Sequence, residues 1–193
     1  MLRFATASDV PDMLTIYGPY VEHTTVSFEY TVPTPEEFSR RLADITRQFP
    51  WLVYEQEGRV LGYAYASAPF ARAAYGFCAE PSIYLSPQCQ GRGIGTHLYT
   101  VLEELLRLQG YQRLYAIITE ENTASLHFHS RFGYHDQAYF PRCGYKFGRW
   151  LGTYWMEKAL PVVESPISFP VNWLSIVQNG EIPSDILASL SLS

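Results

Sequence analysis

The segment that most constrains the fold is a predicted strand that runs through a glycine-rich turn directly into a helix. The strand covers Ala79 to Ser86, and the amphipathic helix covers Ile94 to Leu108. Gly91 and Gly93 lie between the strand and the helix, and Gly95 lies in the first turn of the helix. Glycines at such alternating positions allow a positive φ, so that successive backbone amides point at one spot. The helix adds unpaired N–H groups and the positive end of its dipole. The segment therefore suits a pyrophosphate, although glycines of this spacing also occur in turns that bind nothing.

Two familiar phosphate loops do not match this turn. A Walker loop ends in Gly-Lys-Ser/Thr, and that ending is absent from the sequence. A dinucleotide-binding loop follows the first strand of its domain, whereas this turn lies mid-chain behind a predicted hairpin. Both classes are disfavoured.

The elements around the turn alternate between strands and helices, which predicts a mixed α/β sheet. Thr34-Pro35-Glu36-Glu37 is typical of a helix start, because it combines a capping box with proline in the first turn. Gln56-Glu57-Gly58 separates two strand-like runs and predicts a hairpin. The predicted strands are Leu2–Ala5, Trp51–Glu55, Val60–Ser67, Ala79–Ser86, Leu114–Thr119, Tyr134–Phe140 and Thr153–Lys158, and the predicted helices begin near Asp9, Thr34, Ile94 and Asn122.

Composition and charge exclude several classes of protein. The 193 residues are 47% hydrophobic, which is enough for a packed core and argues against disorder. The net charge of −5 argues against a nucleic-acid binder, and no apolar run is long enough to span a membrane. Three cysteines and no signal peptide at Met1 predict a reduced, cytoplasmic chain. No metal site is predicted.

The composition changes once, near Leu160, and this change divides the chain. Residues 1–160 form the predicted domain, and residues 161–193 form a C-terminal extension with four prolines, many serines and no lysine or arginine. Val171 to Val177 and Ile186 to Leu192 are candidate short helices. Whether the extension wraps on the domain or is partly disordered stays open.

Several ordered motifs resemble one enzyme family. The turn Gln90-Gly91-Arg92-Gly93-Ile94-Gly95 resembles the acetyl-CoA loop of GNAT N-acetyltransferases, whose pattern is Gln/Arg-x-x-Gly-x-Gly/Ala. The resemblance covers most of Leu2 to Lys158 and is strongest to the phosphinothricin and methionine sulfoximine acetyltransferase branch. Further matches are Ser27-Phe28-Glu29, Trp51-Leu52-Val53, Gly62-Tyr63-Ala64, Arg72-Ala73-Ala74-Tyr75, Glu80-Pro81-Ser82-Ile83-Tyr84, Asn122 with Ser125 and His129, Gly133-Tyr134, and Gly144-Tyr145-Lys146-Phe147-Gly148-Arg149-Trp150.

The resemblance implies the GNAT fold, a mostly antiparallel central sheet flanked by helices and splayed at the acetyl-CoA strand. It also implies that this strand bulges, pairs with the pantetheine arm like an extra strand, and polarises the thioester carbonyl through the N–H of Leu85. The implied acetyl-CoA contacts are Ile83, Tyr84, Leu85, Gln90, Gly91, Arg92, Gly93, Ile94, Gly95, Thr96, Asn122 and Ser125.

Acetyl transfer to an amine needs a neutral nucleophile and a proton for the leaving thiolate. An α-amino group has a pKa near 8, so roughly a tenth of it is neutral at pH 7 and one carboxylate is adequate help. Glu80 is the candidate base, with a surface carboxylate as the alternative. His129 is the candidate acid, because the resemblance places it where many GNAT enzymes use tyrosine; a packed structural histidine is the alternative. The cysteines lack a recognisable base, so direct transfer is preferred to a covalent route.

The resemblance places the acceptor pocket opposite the cofactor, and the predicted acceptor is a small amino acid or an analogue such as phosphinothricin or methionine sulfoximine. Arg72 has the chemistry to bind a substrate carboxylate, although a surface arginine is equally compatible. Gly152 departs from the aspartate that this branch carries two residues after its tryptophan, which leaves the substrate open. The candidate acceptor residues are Phe28, Glu29, Arg72, Tyr75 and Lys146.

Two alternatives to this function remain. One is acetylation of another amine, such as a polyamine, an aminoglycoside or a protein N-terminus. The other is an acyl-CoA sensor without catalysis, which the presence of Glu80, Asn122 and His129 disfavours. The resemblance further implies a homodimer, with the aromatic closing strands as interface material. Charge and the lack of a long apolar run predict no nucleic-acid or membrane partner.

Overall fold

The computed structural model describes residues 1–89, 91–161 and 168–190. Within them seven strands form one sheet in the order β1-β2-β3-β4-β5-β7-β6, and every neighbouring pair is antiparallel except β4 with β5. This is the predicted mixed, mostly antiparallel sheet. The strands are β1 (Leu2–Phe4), β2 (Trp51–Gln56), β3 (Arg59–Ser67), β4 (Cys78–Leu85), β5 (Arg113–Thr119), β6 (His135–Lys146) and β7 (Arg149–Ala159).

Helices cover both faces of the sheet. One face carries α1 (Val10–His23) and α2 (Pro35–Ile45), and the other carries α3 (Ile94–Gln109) and α4 (Thr123–Arg131). The Thr34 side chain accepts the Glu37 N–H, which confirms the predicted capping box. Among the described residues, none of the helices combines the length and apolar content that crossing a bilayer requires.

A hydrophobic core lies on each face of the sheet, and successive residues of the central strands point alternately into one core and the other. In β4, Ala79, Ile83 and Leu85 pack into the core under α3, whereas Tyr84 packs into the core under α1 and α2. The side-chain period of a strand therefore places Glu80 and Ser82 on the same face as Tyr84.

Strands β4 and β5 separate soon after they meet. Their parallel pairing is limited to Cys78 with Arg113 and Ala79 with Leu114, yet both strands continue for several residues beyond. The sheet is therefore splayed at β4, as the resemblance implied. Within the described residues, one edge of β4 beyond Ala79 has no strand beside it.

The closing hairpin is longer than predicted. The sequence predicted strands over Tyr134–Phe140 and Thr153–Lys158, but β6 and β7 extend to a tight turn at Phe147 and Gly148, whose φ values are +51° and +77°. The missed part contains Pro141 and Gly144, which break strand alternation, and the pairing there shifts register between Phe140 and Gly144.

The described part of the C-terminal extension packs on the domain. It forms α5 (Trp173–Gln178) and α6 (Ser184–Ser189), close to the two predicted short helices; residues 191 and 192 of the second lie outside the described residues. The indole N–H of Trp173 donates to the Thr46 carbonyl at 2.9 Å, and Leu190 bridges Leu2 at the sheet edge. The described extension therefore completes the core under α3.

Replacing Ile176 with alanine is expected to destabilise the protein. Its side chain is 0% exposed within the core that contains α3, so truncation should cost about 2–5 kcal/mol of unfolding free energy. Leu174→Ala on the same helix is the matched control, since Leu174 is 43% exposed. Equal denaturation midpoints for both variants would show that the extension does not belong to the cooperative core.

Candidate active site

A cleft opens where β4 and β5 separate. Its volume is about 370 Å³, and α4 forms one wall. Glu80 to Leu85 line it from β4, and Ala116 to Ile118 line it from β5. The remaining lining residues are Tyr20, Val26, Asn122, Ala124, Ser125, Phe128 and His129.

The free edge of β4 presents backbone polar groups to this cleft. The Ser86 N–H donates to the opposite Leu61 carbonyl at 2.8 Å, so residues 61 and 86 form a hydrogen-bonded pair. Hydrogen-bonded and non-hydrogen-bonded pairs alternate in an antiparallel ladder, so Leu85 and Ile83 direct their N–H and C=O groups away from β3. The Tyr20 hydroxyl donates to the Leu85 carbonyl at 2.7 Å. The Leu85 N–H is thus a donor directed to the cleft side.

The β3–β4 pairing is regular. It keeps one register from Gly62–Leu85 to Ser67–Glu80, so the bulge that the resemblance implied is absent from this stretch. The splay alone opens the cleft.

The glycine turn delivers free amides at the start of α3. Gly91 and Gly93 have φ values of +73° and +74°, a conformation that glycine adopts without strain. The His97 N–H makes its helical bond to the Gly93 carbonyl, so the N–H groups of Ile94, Gly95 and Thr96 precede the first helical bond. Free amides at the positive end of a helix dipole are donors of the kind that bind a diphosphate.

Two further residues of the turn have other roles. The Arg92 N–H donates to the Cys89 carbonyl at 3.3 Å, and its guanidinium donates to Gln56 Oε1 at 2.7 Å. A Cβ on Gly95 would lie 3.0 Å from Leu85 Cδ1, so this glycine allows close packing of α3 on β4. Gln90, a predicted contact, lies outside the described residues.

The first turn of α4 supplies the opposite wall. Asn122 caps the helix, and its Oδ1 accepts the Ser125 N–H at 3.2 Å. Both residues line the cleft, as their predicted role near the cofactor requires. Because Oδ1 serves the cap, the amide Nδ2 is the group of Asn122 that remains for a ligand.

Glu80 is a partly buried carboxyl group in the cleft. Among the described residues it makes no side-chain hydrogen bond and no ion pair. Burial raises its pKa above the usual 4.5, because nothing nearby compensates the lost hydration of the carboxylate. It therefore combines access to the cleft with increased basicity.

His129 is held differently from the prediction. It is 4% exposed, and Nδ1 lies 2.8 Å from the Ser125 carbonyl while Nε2 lies 2.8 Å from the Tyr99 hydroxyl. The carbonyl can only accept, so Nδ1 carries the proton and the neutral ring accepts from Tyr99 at Nε2. Burial lowers the pKa of His129 below 6.5, which favours this neutral form. The structure therefore places no free His129 N–H at the cleft.

The five predicted acceptor residues lie outside the lining of this cleft. Phe28 packs its ring against Gly144, and Glu29 pairs with Arg41 at 2.7 Å. Arg72 and Tyr75 are exposed at a short 3₁₀ turn between β3 and β4.

Lys146 differs most from its predicted role. It is 2% exposed, and its ammonium donates to backbone carbonyls rather than facing the cleft. The resemblance implies an acceptor contact at Lys146, and the sequence neighbours of this lysine carry no signal of burial.

Sequence reasoning also missed several cleft residues, among them Tyr20 and Val26, which lie outside β4, β5 and α4. Tyr20 lies on α1, where helical periodicity does not distinguish a packing tyrosine from one that reaches a distant strand.

Gly152 stands where the related branch carries aspartate, and the structure explains the glycine. A Cβ there would lie 2.5 Å from the Tyr139 hydroxyl. That hydroxyl donates to Glu120, which also accepts the Gly152 N–H at 2.8 Å. Tyr139 and Glu120 therefore fill the space beside Gly152.

Comparison with known proteins gives the family. Residues 2–155 match the family described as Acetyltransferase (GNAT) domain. The chain belongs to the GNAT acetyltransferases. This confirms the predicted enzyme class, an acetyl-CoA-dependent N-acetyltransferase, and the cleft with its free amides fits that cofactor.

Two relatives and a solved structure that resemble this GNAT enzyme are also named as acetyltransferases. A phosphinothricin N-acetyltransferase of Streptomyces viridochromogenes is 35% identical, with 86% of this chain and 92% of the relative covered. An L-methionine sulfoximine/L-methionine sulfone acetyltransferase of Salmonella typhimurium is 32% identical, with 86% and 97% covered. The crystal structure of a phosphinothricin acetyltransferase from Sinorhizobium meliloti in complex with AcCoA superposes with a TM-score of 0.83 at 34% identity, covering 89% of this chain and 94% of that one.

Proposed function

We propose that the protein transfers acetyl from acetyl-CoA directly to the amino group of a small amino acid or analogue of the phosphinothricin or methionine sulfoximine type. The observation that carries the proposal is the cleft at the splay of β4 and β5, where Glu80 lies beside the free edge of β4. Relatives named for these substrates align over nearly their whole length, which supports the acceptor class.

The chain's groups bind the cofactor in three parts. The amides of Gly91, Gly93, Ile94, Gly95 and Thr96 bind the diphosphate at the positive end of α3, whereas the Arg92 amide is bonded to Cys89 and its guanidinium to Gln56. The Ile83 N–H and C=O groups, which face the cleft, bind the pantetheine arm as an added strand would, whereas the Leu85 carbonyl is already bonded to Tyr20. Asn122 and Ser125 flank the thioester from α4.

Glu80 acts as general base in the proposed reaction. It removes a proton from the acceptor ammonium, and the neutral nitrogen then attacks the thioester carbonyl carbon. A C–N bond forms and the C–S bond breaks. The nitrogen loses its second proton as the amide forms, this proton passes to the departing sulfur to give free thiol, and Glu80 releases the first proton to solvent. The Leu85 N–H stabilises the negative charge that develops on the carbonyl oxygen.

His129 serves to position α4 in this scheme. Its Nδ1 proton is committed to the Ser125 carbonyl, and Tyr99 occupies Nε2. The thiolate needs little assistance to leave, since free thiols have a pKa near 8.5. Cys78, Cys89 and Cys143 lie outside the cleft lining, which supports direct transfer.

A thiol-release screen with acetyl-CoA and amino-acid acceptors, followed by other amines, tests the proposal. Release with phosphinothricin- or methionine sulfoximine-like acceptors supports it. Release only with polyamines, aminoglycosides or peptide N-termini would replace the acceptor class. Binding of acetyl-CoA without release over the whole panel would favour a sensor.

We also propose a homodimer in the cytoplasm. The β6–β7 hairpin exposes large apolar surface at Tyr139, Phe140 and Trp150, and such surface commonly mediates association. Free cysteines suit a reducing compartment. Light scattering is expected to give twice the 22.1 kDa chain mass for the wild type, shifting toward one chain mass for Phe140→Asp. A wild-type mass of one chain would contradict the dimer.

A further inference from the structure

Lys146 is a buried cation at the tip of the closing hairpin. It is the last residue of β6, just before the tight turn at Phe147 and Gly148, and it is 2% exposed. A buried ammonium is costly unless its donors are satisfied, so its partners indicate its role.

Three backbone carbonyls accept from this ammonium. They belong to Val21 at 2.7 Å, Thr24 at 2.9 Å and Ser27 at 2.5 Å. An ammonium has three N–H donors, so all are used and none remains for a ligand. Val21 and Thr24 stand at the C-terminal end of α1, where carbonyls lack helical partners and a positive charge is favourable.

These carbonyls belong to the connection between α1 and α2, residues 24–34, whose first part reaches the cleft. Val26 lines the cleft, and Thr25 Oγ1 donates to Glu121 at 3.2 Å, next to the capping Asn122. The Ser27 hydroxyl lies 2.7 Å from the Tyr17 hydroxyl and accepts the Glu29 N–H.

The hairpin holds the following residues as well. The Phe28 ring lies against Gly144, where a Cβ would approach it to 2.2 Å, and the Tyr30 hydroxyl donates to the Tyr145 carbonyl. Residues 24–30 have no helix or strand of their own, so their position depends on these contacts. Of these contacts, the Lys146 ammonium is the group that bonds more than one residue of the segment, the Thr24 and Ser27 carbonyls.

We propose that Lys146 is a positioning residue for the acceptor, which fixes residues 24–30 at the cleft and does not itself bind substrate. The inference rests on the proposed function, because it assumes that an acceptor amine enters beside Val26. It replaces the earlier assignment of Lys146 as an acceptor contact.

Steady-state kinetics of Lys146→Met and Lys146→Arg test the inference. The methionine side chain keeps the length but removes all three donors, and the planar guanidinium keeps the charge but does not reproduce the converging geometry. Both variants are expected to raise the KM for the acceptor, by about 10- to 100-fold for methionine. The dissociation constant for acetyl-CoA, measured by calorimetry without acceptor, is expected to stay unchanged.

Lys158→Met is the matched control. Lys158 is a partly buried lysine whose ammonium lies 2.5 Å from Glu103, and it lies outside the cleft lining. This variant is expected to lose stability without a selective change in acceptor KM. Amide exchange provides a second measurement: residues 24–30 should exchange faster in Lys146→Met than in Lys158→Met.

The outcomes separate this inference from the proposed function. If the wild type acetylates no acceptor in the panel, the proposed function fails, and amide exchange still reports on the contacts of Lys146. If the wild type is active and Lys146→Met shows an unchanged acceptor KM, the positioning role is wrong while the function stands. A parallel loss of acetyl-CoA affinity would indicate general unfolding and would also overturn the inference.

Discussion

Glu80→Gln is expected to lower kcat/KM for the acceptor by about 100- to 10,000-fold, the range by which a positioned general base accelerates proton transfer. Glutamine keeps the shape of the side chain but does not accept a proton. Acetyl-CoA affinity should be retained, because the cofactor is bound by backbone amides of other residues. Steady-state kinetics and calorimetry on the same preparation measure the two effects.

The pH dependence follows from the raised pKa of Glu80. The carboxylate is the active form, so activity of the wild type should rise as pH increases through this elevated pKa, and the variant should lack that limb. The folded protein also binds the Glu80 proton more tightly than the unfolded chain, so this group costs stability above its folded pKa. The variant should therefore be as stable as the wild type or more stable at pH 7.

Glu157→Gln serves as the control for Glu80. Glu157 is a partly buried carboxylate on β7 that pairs with Arg113 and lies outside the cleft lining. It is expected to retain wild-type turnover. Unchanged turnover of Glu80→Gln between pH 6 and 9 would remove Glu80 from the mechanism.

The elements that sequence predicted well are those whose signals are local. Thr34 with Glu37 marks the start of α2, and Asn122 marks the start of α4, because each cap is made within three residues. The helix after the glycine turn was predicted from Ile94 to Leu108 and is observed from Ile94 to Gln109. Here short-range hydrogen bonding and apolar periodicity determine the structure.

The features that sequence missed depend on contacts between distant segments. The Lys146 ammonium meets carbonyls more than 100 residues earlier in the chain, and His129 is buried beneath Tyr99 and Tyr134. Periodicity reports which face of an element is apolar, but it does not report which distant polar group is the partner. The resemblance indicated Lys146 and His129 as site residues, but the structure shows that the N–H donors of both side chains are bonded within the protein and are not directed to the cleft.

The splay of the sheet is an intermediate case. The residues of β4 and β5 predict two strands, and nothing in their periodicity predicts that pairing stops after Ala79. That expectation came from the resemblance to GNAT enzymes. The structure supplies the geometric consequence: the unpaired edge of β4 directs the polar groups of Ile83 and Leu85 toward the cleft.

Gly93→Val is expected to weaken acetyl-CoA binding by about 100-fold. Gly93 has a φ of +74° and immediately precedes the free amides of α3. A β-branched residue in this conformation is strained by about 1–2 kcal/mol, so the turn should shift and misalign the amides. Losing one or two hydrogen bonds to a charged group, at about 1.5–3 kcal/mol each, corresponds to a change of this size.

Gly58→Val separates binding from strain for this prediction. Gly58 has the same φ of +74°, and a Cβ at either glycine would meet no atom within 4 Å, but Gly58 lies in the β2–β3 turn. Both variants should therefore lose similar stability, whereas only Gly93→Val should lose affinity in calorimetry with acetyl-CoA. Equal affinities for the two variants would mean that the amides following Gly93 do not bind the diphosphate. The proposed acetyl-CoA site at the start of α3 would then be wrong.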